Sequence, residues 1–472
     1  MSISIKINNY NNCKNNKKEN VQKEQLEKNV KDLVEFNRER GTDGQKEAAD
    51  FLEDKLKTYK NLNVEQQSFL DPYYEVYKKE LSIFDYNTNA SVSITYTDTK
   101  VFLYSGFANF PNLKIFPVPN FGGEDGDYVG HPTNNGYVAL VKRGTYTFGE
   151  KAEKAFDNGA AGIIIINSDD EMNYFPELPV SFSHPRFPAV IIKRTVGEII
   201  YDNLSSDPMR YKIKMNVIGL RNDSATSQNV IATLPGTAES TYGIFYITSS
   251  YDSFRLSPGA NESGSSVALL LELARIFSRK KWKCTIKFIL FGATNASIYT
   301  FNGFFGAFAY TFVYDLEIPK GNGFLDLRSL CRGTIFYMGS TFGTNHILGD
   351  FINTRAEKTH LEKKVNYLDV AKFGDIGLQT NSDRFKEFNI DLPICMIEKG
   401  FSDVSYQQDP LLRTPNDDLN NLDYAQEEKI GNFLKCSVEK WIDEKISPMS
   451  FSVARHNAQL TNNANNVNKQ IM

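Results

Sequence analysis

The sequence predicts an α/β protein with a mixed central sheet flanked by helices and a second, β-rich domain inserted into it. Between residues 244 and 310, apolar runs of strand length alternate with segments of helical periodicity. Between residues 70 and 227 this rhythm breaks into short alternating strands and Gly-rich loops. After residue 228 buried strand patterns return, and a long amphipathic helix closes the pattern. Alternating strands and helices are typical of the α/β class.

The amino-terminal part carries two helices and a strand. Residues 1–20 are rich in Asn and Lys and are predicted to be disordered. Residues 21–60 have the periodicity of two amphipathic helices, and the second begins at the capping pattern Thr42-Asp-Gly-Gln45. A strand is expected at 61–69. We assign residues 21–69 to the first part of the main domain.

The inserted segment is assigned to residues 70–227. Strands are predicted at 92–97 and 99–106, and a strand, turn, helix and strand at 136–167. Gly159 is expected to close that helix. A further strand and helix follow at 187–200.

The central stretch gives the clearest prediction of a pocket. It reads as a strand, a Ser/Pro/Gly/Asn turn cluster, a helix and a second strand, at residues 244–250, 257–264, 267–277 and 285–293. Ligands of α/β sheets gather at the carboxyl ends of the strands. Those ends are Ser250–Ser253 and Gly292–Asn295.

The main domain is predicted to continue to residue 446. Strands are expected at 321–330 and 334–340 and a helix at 343–358. The last helix is expected to begin after Asp423 as its N-cap. Residues 447–472 are polar and are assigned to a tail.

Composition excludes several classes of function. The chain has 472 residues, 41% of them hydrophobic, and a net charge of −4 with no basic stripe, which gives no indication of nucleic-acid binding. No run of 18 apolar residues predicts a transmembrane segment. The polar start lacks the apolar region of a signal peptide, so a cytoplasmic location is expected, with secretory or organellar locations left open. Cys284 and Cys395 are expected to be reduced core residues.

Several motifs resemble the zinc-dependent M28 peptidases. They are Ser250-Tyr-Asp252-Ser253, Gly259-Ala-Asn-Glu262-Ser-Gly and Phe291-Gly-Ala-Thr294-Asn295, followed by the segments 380–400 and 413–442. Residues 136–200 resemble the protease-associated (PA) domain, a lid or docking surface in its relatives. The resemblance implies an M28 peptidase-like (phosphorylase/hydrolase-like) fold with an inserted PA domain.

The resemblance also implies where a two-zinc site would lie. The family pattern has seven such positions: five zinc ligands, the catalytic Glu and the Asp that orients the first ligand. In chain order they fall on Ser250, Asp252, Glu262, Thr294, Asn295, Asp326 and Arg413. The first and last ligands, both His in the family, fall on Ser250 and Arg413. The bridging Asp falls on Glu262, the catalytic Glu on Thr294, and the next ligand Glu on Asn295.

These replacements remove the chemistry of the family. Among the five zinc-ligand positions, only Asp326 keeps its family residue, and Glu262 is one carbon longer than Asp. Thr294 cannot act as a general base near neutral pH, and Arg413 offers no lone pair to a metal. The five histidines, at positions 131, 184, 346, 360 and 456, all fall outside the ligand motifs. We therefore predict no catalytic residue, no metal and no cofactor, and a vestigial pocket made of the seven positions above.

Alternatives remain for this pocket. We expect the Arg413 guanidinium to replace the metal as the cation that holds the carboxylates of Asp252, Glu262 and Asp326. One alternative is that Arg413 points into solvent. Another is that the three carboxylates bind Ca²⁺ or Mg²⁺, which the guanidinium disfavours.

The function predicted from these residues is that of a catalytically inactive M28 peptidase-like protein, acting as a binding, scaffold or assembly subunit. Nicastrin is a relative that kept this fold and lost its zinc ligands. A protein partner or a second copy is expected, and a peptide ligand stays open. The alternative is an active M28-type metallo-aminopeptidase with an unorthodox metal site. A serine mechanism has little support, because no motif position near Ser249–Ser266 supplies a His.

Overall fold

A computed structural model describes most of the chain. The described residues are 19–71, 73–85, 87–88, 91–94, 96–132, 136–171, 176, 178–179, 181–208, 210–294, 304–340, 345–359, 366–369, 381–386, 388–389, 391–401 and 409–448. The predicted disordered start and the polar tail lie almost entirely outside them.

The elements are numbered in chain order. The helices are α1 Lys23–Val34, α2 Asp43–Lys57, α3 Phe148–Asp157, α4 Arg194–Ser206, α5 Glu239–Tyr242, α6 Ser266–Phe277, α7 Phe305–Val313, α8 Ile347–Thr359, α9 Asn381–Lys386 and α10 Tyr424–Glu444. The strands are β1 Asn63–Leu70, β2 Tyr73–Asp85, β3 Ser91–Ile94, β4 Thr99–Val101, β5 Ala108–Val118, β6 Tyr137–Lys142, β7 Gly162–Ile166, β8 Ala189–Ile192, β9 Tyr211–Asn222, β10 Thr226–Leu234, β11 Ile244–Ser250, β12 Thr285–Phe291, β13 Gly321–Leu327, β14 Ile335–Ser340, β15 Asn366–Asp369 and β16 Ile394–Gly400.

The described residues form two compact units. The first takes those up to Asp71 and from Ala225 onward, and the second takes those between. In the first unit, eight described strands form one sheet in the order β1-β10-β12-β11-β13-β16-β14-β15. Its four central strands β12, β11, β13 and β16 run parallel to one another, and antiparallel strands flank them. The sheet is therefore mixed, as the sequence predicts.

Burial explains why the central elements form. β12 and β16 are buried along their whole length, and β11 is buried up to its last residue. Such continuous apolar strands are typical of parallel sheets covered on both faces. Helix α6 buries every residue except Arg275. The two amino-terminal helices bury one apolar stripe each, as their periodicity predicts.

The second unit holds the other sheet. Its described strands follow the order β3-β2-β9-β5-β6-β7-β8-β4, and β5 to β8 are parallel. Helix α3 ends just before Gly159, whose φ is 79°, so the predicted helix-closing glycine is confirmed. The strand, helix and strand expected at 136–167 and the strand and helix expected at 187–200 are also present.

Four local predictions differ from the structure. The strand expected at 92–97 ends at Ile94, because Tyr96–Asp98 form a 3₁₀ turn. The strand expected at 99–106 ends at Val101, and the left-handed φ of 64° at Tyr104 is incompatible with an extended backbone. The turn cluster expected at 257–264 contains a turn of π-helix at Ala260–Ser265. The helix expected at 343–358 begins at Ile347, and residues 341–344 lie outside the described ranges. No helix in the described part of the chain is long and apolar enough to cross a membrane.

Candidate functional site

Parallel strands bring the predicted site residues to one edge of the first unit's sheet. Ser250 is the last residue of β11 and pairs in register with Phe291 of β12. On the other side of β11, Thr248 pairs with Asp326 of β13. Because these strands are parallel, their carboxyl ends lie at the same edge. Glu262 lies in the π-helical turn that precedes α6.

Asp326 is held by neutral donors. Its side chain is buried, and Oδ1 accepts hydrogen bonds from Thr248 Oγ1 at 2.7 Å and from Asn381 Nδ2 at 3.3 Å. The same Asn381 nitrogen lies 3.4 Å from Ser250 Oγ. The amide of Asn381 therefore links Ser250 with Asp326, two positions that hold zinc ligands in the family pattern.

Glu262 pairs with Arg413. Arg413 Nε lies 3.0 Å from Glu262 Oε1, so the contact expected from the sequence is present. The Glu262 side chain is 12% exposed and that of Arg413 is 54% exposed, so the pair sits at the surface end of the site. Burial raises the pKa of Glu262, and the positive charge of Arg413 opposes this rise. Arg413 also adopts a left-handed backbone with φ of 63°, which is uncommon for a non-glycine residue.

Asp252 lies near a different cation, the buried Arg38. Burial lowers the pKa of Arg38 to about 10, and the charges of Asp252, Asp417 and Glu262 oppose that effect, so the guanidinium stays protonated near neutral pH. Asp252 is itself fully buried. The Arg38 guanidinium donates to the carbonyl oxygens of Tyr251 and Leu33 at 2.8 Å, to those of Pro258 at 2.9 Å and Gly259 at 3.1 Å, and to Ser263 Oγ at 3.1 Å.

Asp417 fixes the turn that carries Glu262. Its two carboxylate oxygens accept hydrogen bonds from the backbone N–H groups of Asn261 at 2.9 Å and Glu262 at 3.0 Å. Arg332 forms an ion pair with the same carboxylate. Burial raises the pKa of Asp417, and the two backbone hydrogen bonds and Arg332 counter the rise. The backbone of Glu262 is thus held by a carboxylate 155 residues further along the chain.

The remaining predicted residues add little that could hold a metal. Thr294 is buried, and its Oγ1 has no hydrogen-bond partner. Asn295 lies outside the described residues. His131 and His184 belong to the second unit, and His346 immediately precedes α8.

The residues present do not fit a two-zinc centre. Within the described ranges, no group of three or more His, Cys, Asp and Glu side chains is arranged to hold a metal ion. A zinc site needs several N, O or S ligands around each ion, whereas Ser250 and Thr294 supply hydroxyls and Arg413 supplies a permanent positive charge. No reaction step through zinc follows from this set.

The structure corrects one part of the predicted electrostatics. We predicted Arg413 as the central cation, within hydrogen-bonding distance of at least one of Asp252, Glu262 and Asp326; the contact is confirmed, but the central position is not. Within the described residues, Arg413 forms its hydrogen bond and ion pair with Glu262, while Asp326 accepts from Thr248 and Asn381 and Asp252 lies near Arg38. The reason is geometric, since Arg413 lies at the exposed end of the site and Arg38 lies beneath it.

Sequence reasoning missed Arg38, Asn381 and Asp417. Arg38 stands in the polar stretch Asn37-Arg-Glu-Arg40 between two amphipathic helices, where an exposed side chain is the ordinary expectation. Asn381 and Asp417 each lie within segments that resemble the family, but neither is a ligand position. For Asn381 and Asp417, the only indication in the sequence is that they stand close to those ligand positions.

Comparisons with known proteins agree with this geometry at the level of the fold. Residues 229–435 match peptidase family M28, and residues 111–200 match the PA domain. Aminopeptidase YwaD of Bacillus subtilis is 26% identical over 322 residues, which cover 66% of this chain and 64% of that protein. The probable leucine aminopeptidase 2 of Trichophyton verrucosum is 26% identical over 264 residues, which cover 54% of this chain and 48% of that protein. The chain thus spans less than two thirds of the length of these curated relatives.

Solved structures give the same picture. The aminopeptidase from Aneurinibacillus sp. strain AM-1 superimposes with a TM-score of 0.58 at 23% identity, over 92% of this chain and 98% of that one. BSAP, a zinc aminopeptidase from Bacillus subtilis, gives a TM-score of 0.56 at 21% identity with the same coverage. The chain therefore has the M28 peptidase fold with a PA domain inserted into it.

Proposed function

We propose that this chain is a catalytically inactive member of the M28 peptidase fold that acts as a binding, scaffold or assembly subunit. The observation that carries the proposal is the 3.0 Å contact between Arg413 Nε and Glu262 Oε1. It puts a permanent cation at the position of the family's last ligand and pairs that cation with the position of the bridging carboxylate. Two positive charges competing for one carboxylate would repel each other.

The position of the catalytic base supports the same proposal. M28-type hydrolysis needs a base to take a proton from water, and a carboxylate serves that purpose near neutral pH. Thr294 stands at that position, and a threonine hydroxyl does not ionise in this range. The proposed partner of this chain is a second protein or another copy of the chain. The chain would bind that partner through its surface, without any reaction.

The second candidate is an active metallo-aminopeptidase with an unorthodox metal site. The comparisons favour it, because the relatives and the superimposed structures carry the names of aminopeptidases. One local observation also favours a bound ligand: Glu262 Oε2 is buried without a hydrogen-bond partner. A buried carboxylate oxygen of this kind is often explained by an ion or a water.

Metal content and hydrolysis separate the two candidates. The full-length chain is purified without chelator, its bound zinc, manganese, calcium and magnesium are measured by mass spectrometry, and hydrolysis of L-leucine p-nitroanilide is followed with and without added zinc. The inactive protein should hold less than stoichiometric metal and show no turnover, and chelator should leave its melting temperature unchanged. Chelator-sensitive turnover would establish the second candidate instead.

A variant that restores the ligands serves as the positive control. Ser250→His, Thr294→Glu, Asn295→Glu and Arg413→His together restore the family residues at every replaced position except Glu262, which keeps a carboxylate one carbon longer. This variant should bind zinc with a rise in melting temperature that the parent chain does not show. A parent chain that gains as much stability from zinc as the variant would contradict the proposal.

A further inference from the structure

A cavity in the second unit is independent of the site at the sheet edge. Its volume is about 390 Å³, and it is lined mainly by Phe110, Phe156, Phe187, His184, Pro185 and Arg186. All of these residues belong to the second unit. Pockets of this size, mostly apolar with a few polar groups, are typical of small-ligand sites.

The walls of this cavity are aromatic and held in place. The His184 ring stacks on Phe156 with a centroid separation of 3.7 Å, and Phe156 meets Phe187 edge to face at 5.7 Å. His184 Nε2 lies 2.8 Å from Glu153 Oε2, which fixes the orientation of the imidazole. Phe187 is buried, so one wall is continuous with the core of the unit. The wall therefore presents a preformed apolar surface to a flat or branched apolar group.

Arg186 gives the cavity its charge. Its side chain is exposed, and it forms no ion pair or side-chain hydrogen bond with the described part of the chain. Within the described residues, Glu153 contacts His184 and forms no ion pair with Arg186. An exposed guanidinium beside an aromatic cavity favours an anion with a planar fork of oxygens, which a carboxylate provides.

We propose that this cavity binds an apolar, preferably aromatic, group that carries a carboxylate. The apolar group lies among Phe110, Phe156, Phe187 and the His184 ring, and the carboxylate pairs with Arg186. Two sources supply this chemistry: the carboxyl-terminal residue of a peptide, and a free aryl-substituted carboxylic acid. The proposal does not depend on whether the first unit hydrolyses peptides, because none of the residues involved belongs to that unit.

Binding to the full-length chain in the presence of chelator tests the proposal. Isothermal titration calorimetry with N-acetyl-L-phenylalanine should give a dissociation constant in the millimolar range or below. N-acetyl-L-phenylalaninamide, which lacks the carboxylate, and N-acetylglycine, which lacks the side chain, should each bind about fivefold more weakly or not at all. Equal binding of the amide and the acid, or no binding of the acid, would overturn the proposal.

Variants of the chain complete the test. Arg186→Gln should weaken N-acetyl-L-phenylalanine about fivefold and leave the amide unchanged, whereas Arg186→Lys should retain part of the preference for the acid. Arg194→Gln is the matched control, because Arg194 is an exposed arginine of the same unit that does not line the cavity. An Arg186→Gln protein that binds the acid as tightly as the Arg194→Gln protein would refute the assignment.

The two sources are separated by a further pair of ligands. Tighter binding of Ala-Ala-Phe with a free carboxyl terminus than of 3-phenylpropionate would identify a peptide terminus as the ligand. The reverse order would identify a small aryl acid. Either order supports the chemistry of the cavity, provided that both ligands lose affinity for the Arg186→Gln protein.

Discussion

Replacing Arg38 by Met should unfold the first unit more readily than any change at Arg413. The Arg38 guanidinium is buried and donates to four backbone carbonyls and one hydroxyl. Met matches only the aliphatic part of Arg and has no donor, so those five acceptors lose a partner, and each such loss costs about 1 kcal/mol. Asp252 also loses a nearby positive charge. We expect a loss of about 5 kcal/mol in the free energy of unfolding of the first unit.

Tryptophan fluorescence reports this unit alone. The chain has two tryptophans, Trp282 and Trp441, and both are buried in the first unit. Urea titrations followed at the tryptophan emission should show a lower midpoint for Arg38→Met. Arg279→Met, at an exposed position just after α6, is the matched control and should stay within about 0.5 kcal/mol of the parent. An Arg38→Met protein that unfolds like the control would refute the assignment of Arg38 as the buried cation of the site.

Three further changes can be measured with the same fluorescence. Burial raises the pKa of Glu427 from 4.5 to about 8, so the folded state keeps a proton that the unfolded chain releases. The free energy of unfolding should therefore fall as pH rises from about 5 to 8, and Glu427→Gln should flatten this fall. Equal pH dependence of the variant and the parent would contradict this reasoning. Arg413→Ala should cost no more than about 1 kcal/mol, because its pair with Glu262 is half exposed, and a loss above about 3 kcal/mol would show that the pair is buried in solution. Asn381→Asp places a second carboxylate beside Asp326 and should destabilise the unit by about 1–3 kcal/mol at pH 7 and by less at pH 5; the same loss at both pH values would contradict this reasoning.

Much of the fold follows from local patterns. β11 was predicted at 244–250 and lies at Ile244–Ser250, because a run of apolar and β-branched residues ends there in Ser-Ser-Tyr-Asp. Asp423 caps α10 as predicted, and its carboxylate accepts a hydrogen bond from Gln426 N at 2.9 Å. The capping pattern at Thr42 is only half formed. Thr42 accepts from Gln45 N, but the Gln45 side chain accepts from Gly41 N instead of returning to Thr42. At these two helices the local capping residue therefore marks the first turn, whereas no such residue marked the start of α8 at Ile347.

The partners inside the site do not follow from local patterns. Arg38 bonds Tyr251, 213 residues away, and no periodicity or capping rule connects two such positions. Asn381 reaches Ser250 across 131 residues, from the start of a short helix that the sequence suggests only by resemblance. The resemblance to the M28 family gives the positions of the ligands, since these lie in motifs. It gives no information on which side chains contact the residues at those positions.

The distribution of charge at the sheet edge explains how this site keeps its geometry. If Asp252, Glu262 and Asp326 shared one cation, a change at that cation would leave three acids facing one another and would loosen the loops that carry them. Here the partners come from different parts of the chain: Asp252 is close to Arg38, Glu262 bonds Arg413, and Asp326 accepts from neutral donors. We therefore expect a change at Arg413 to leave the surroundings of Asp252 and Asp326 in place. For the same reason, the four-residue variant that restores the family ligands should find Glu262 and Asp326 already in place. Any gain of zinc binding by that variant would then come from the four introduced side chains and not from a rearrangement of Glu262 and Asp326.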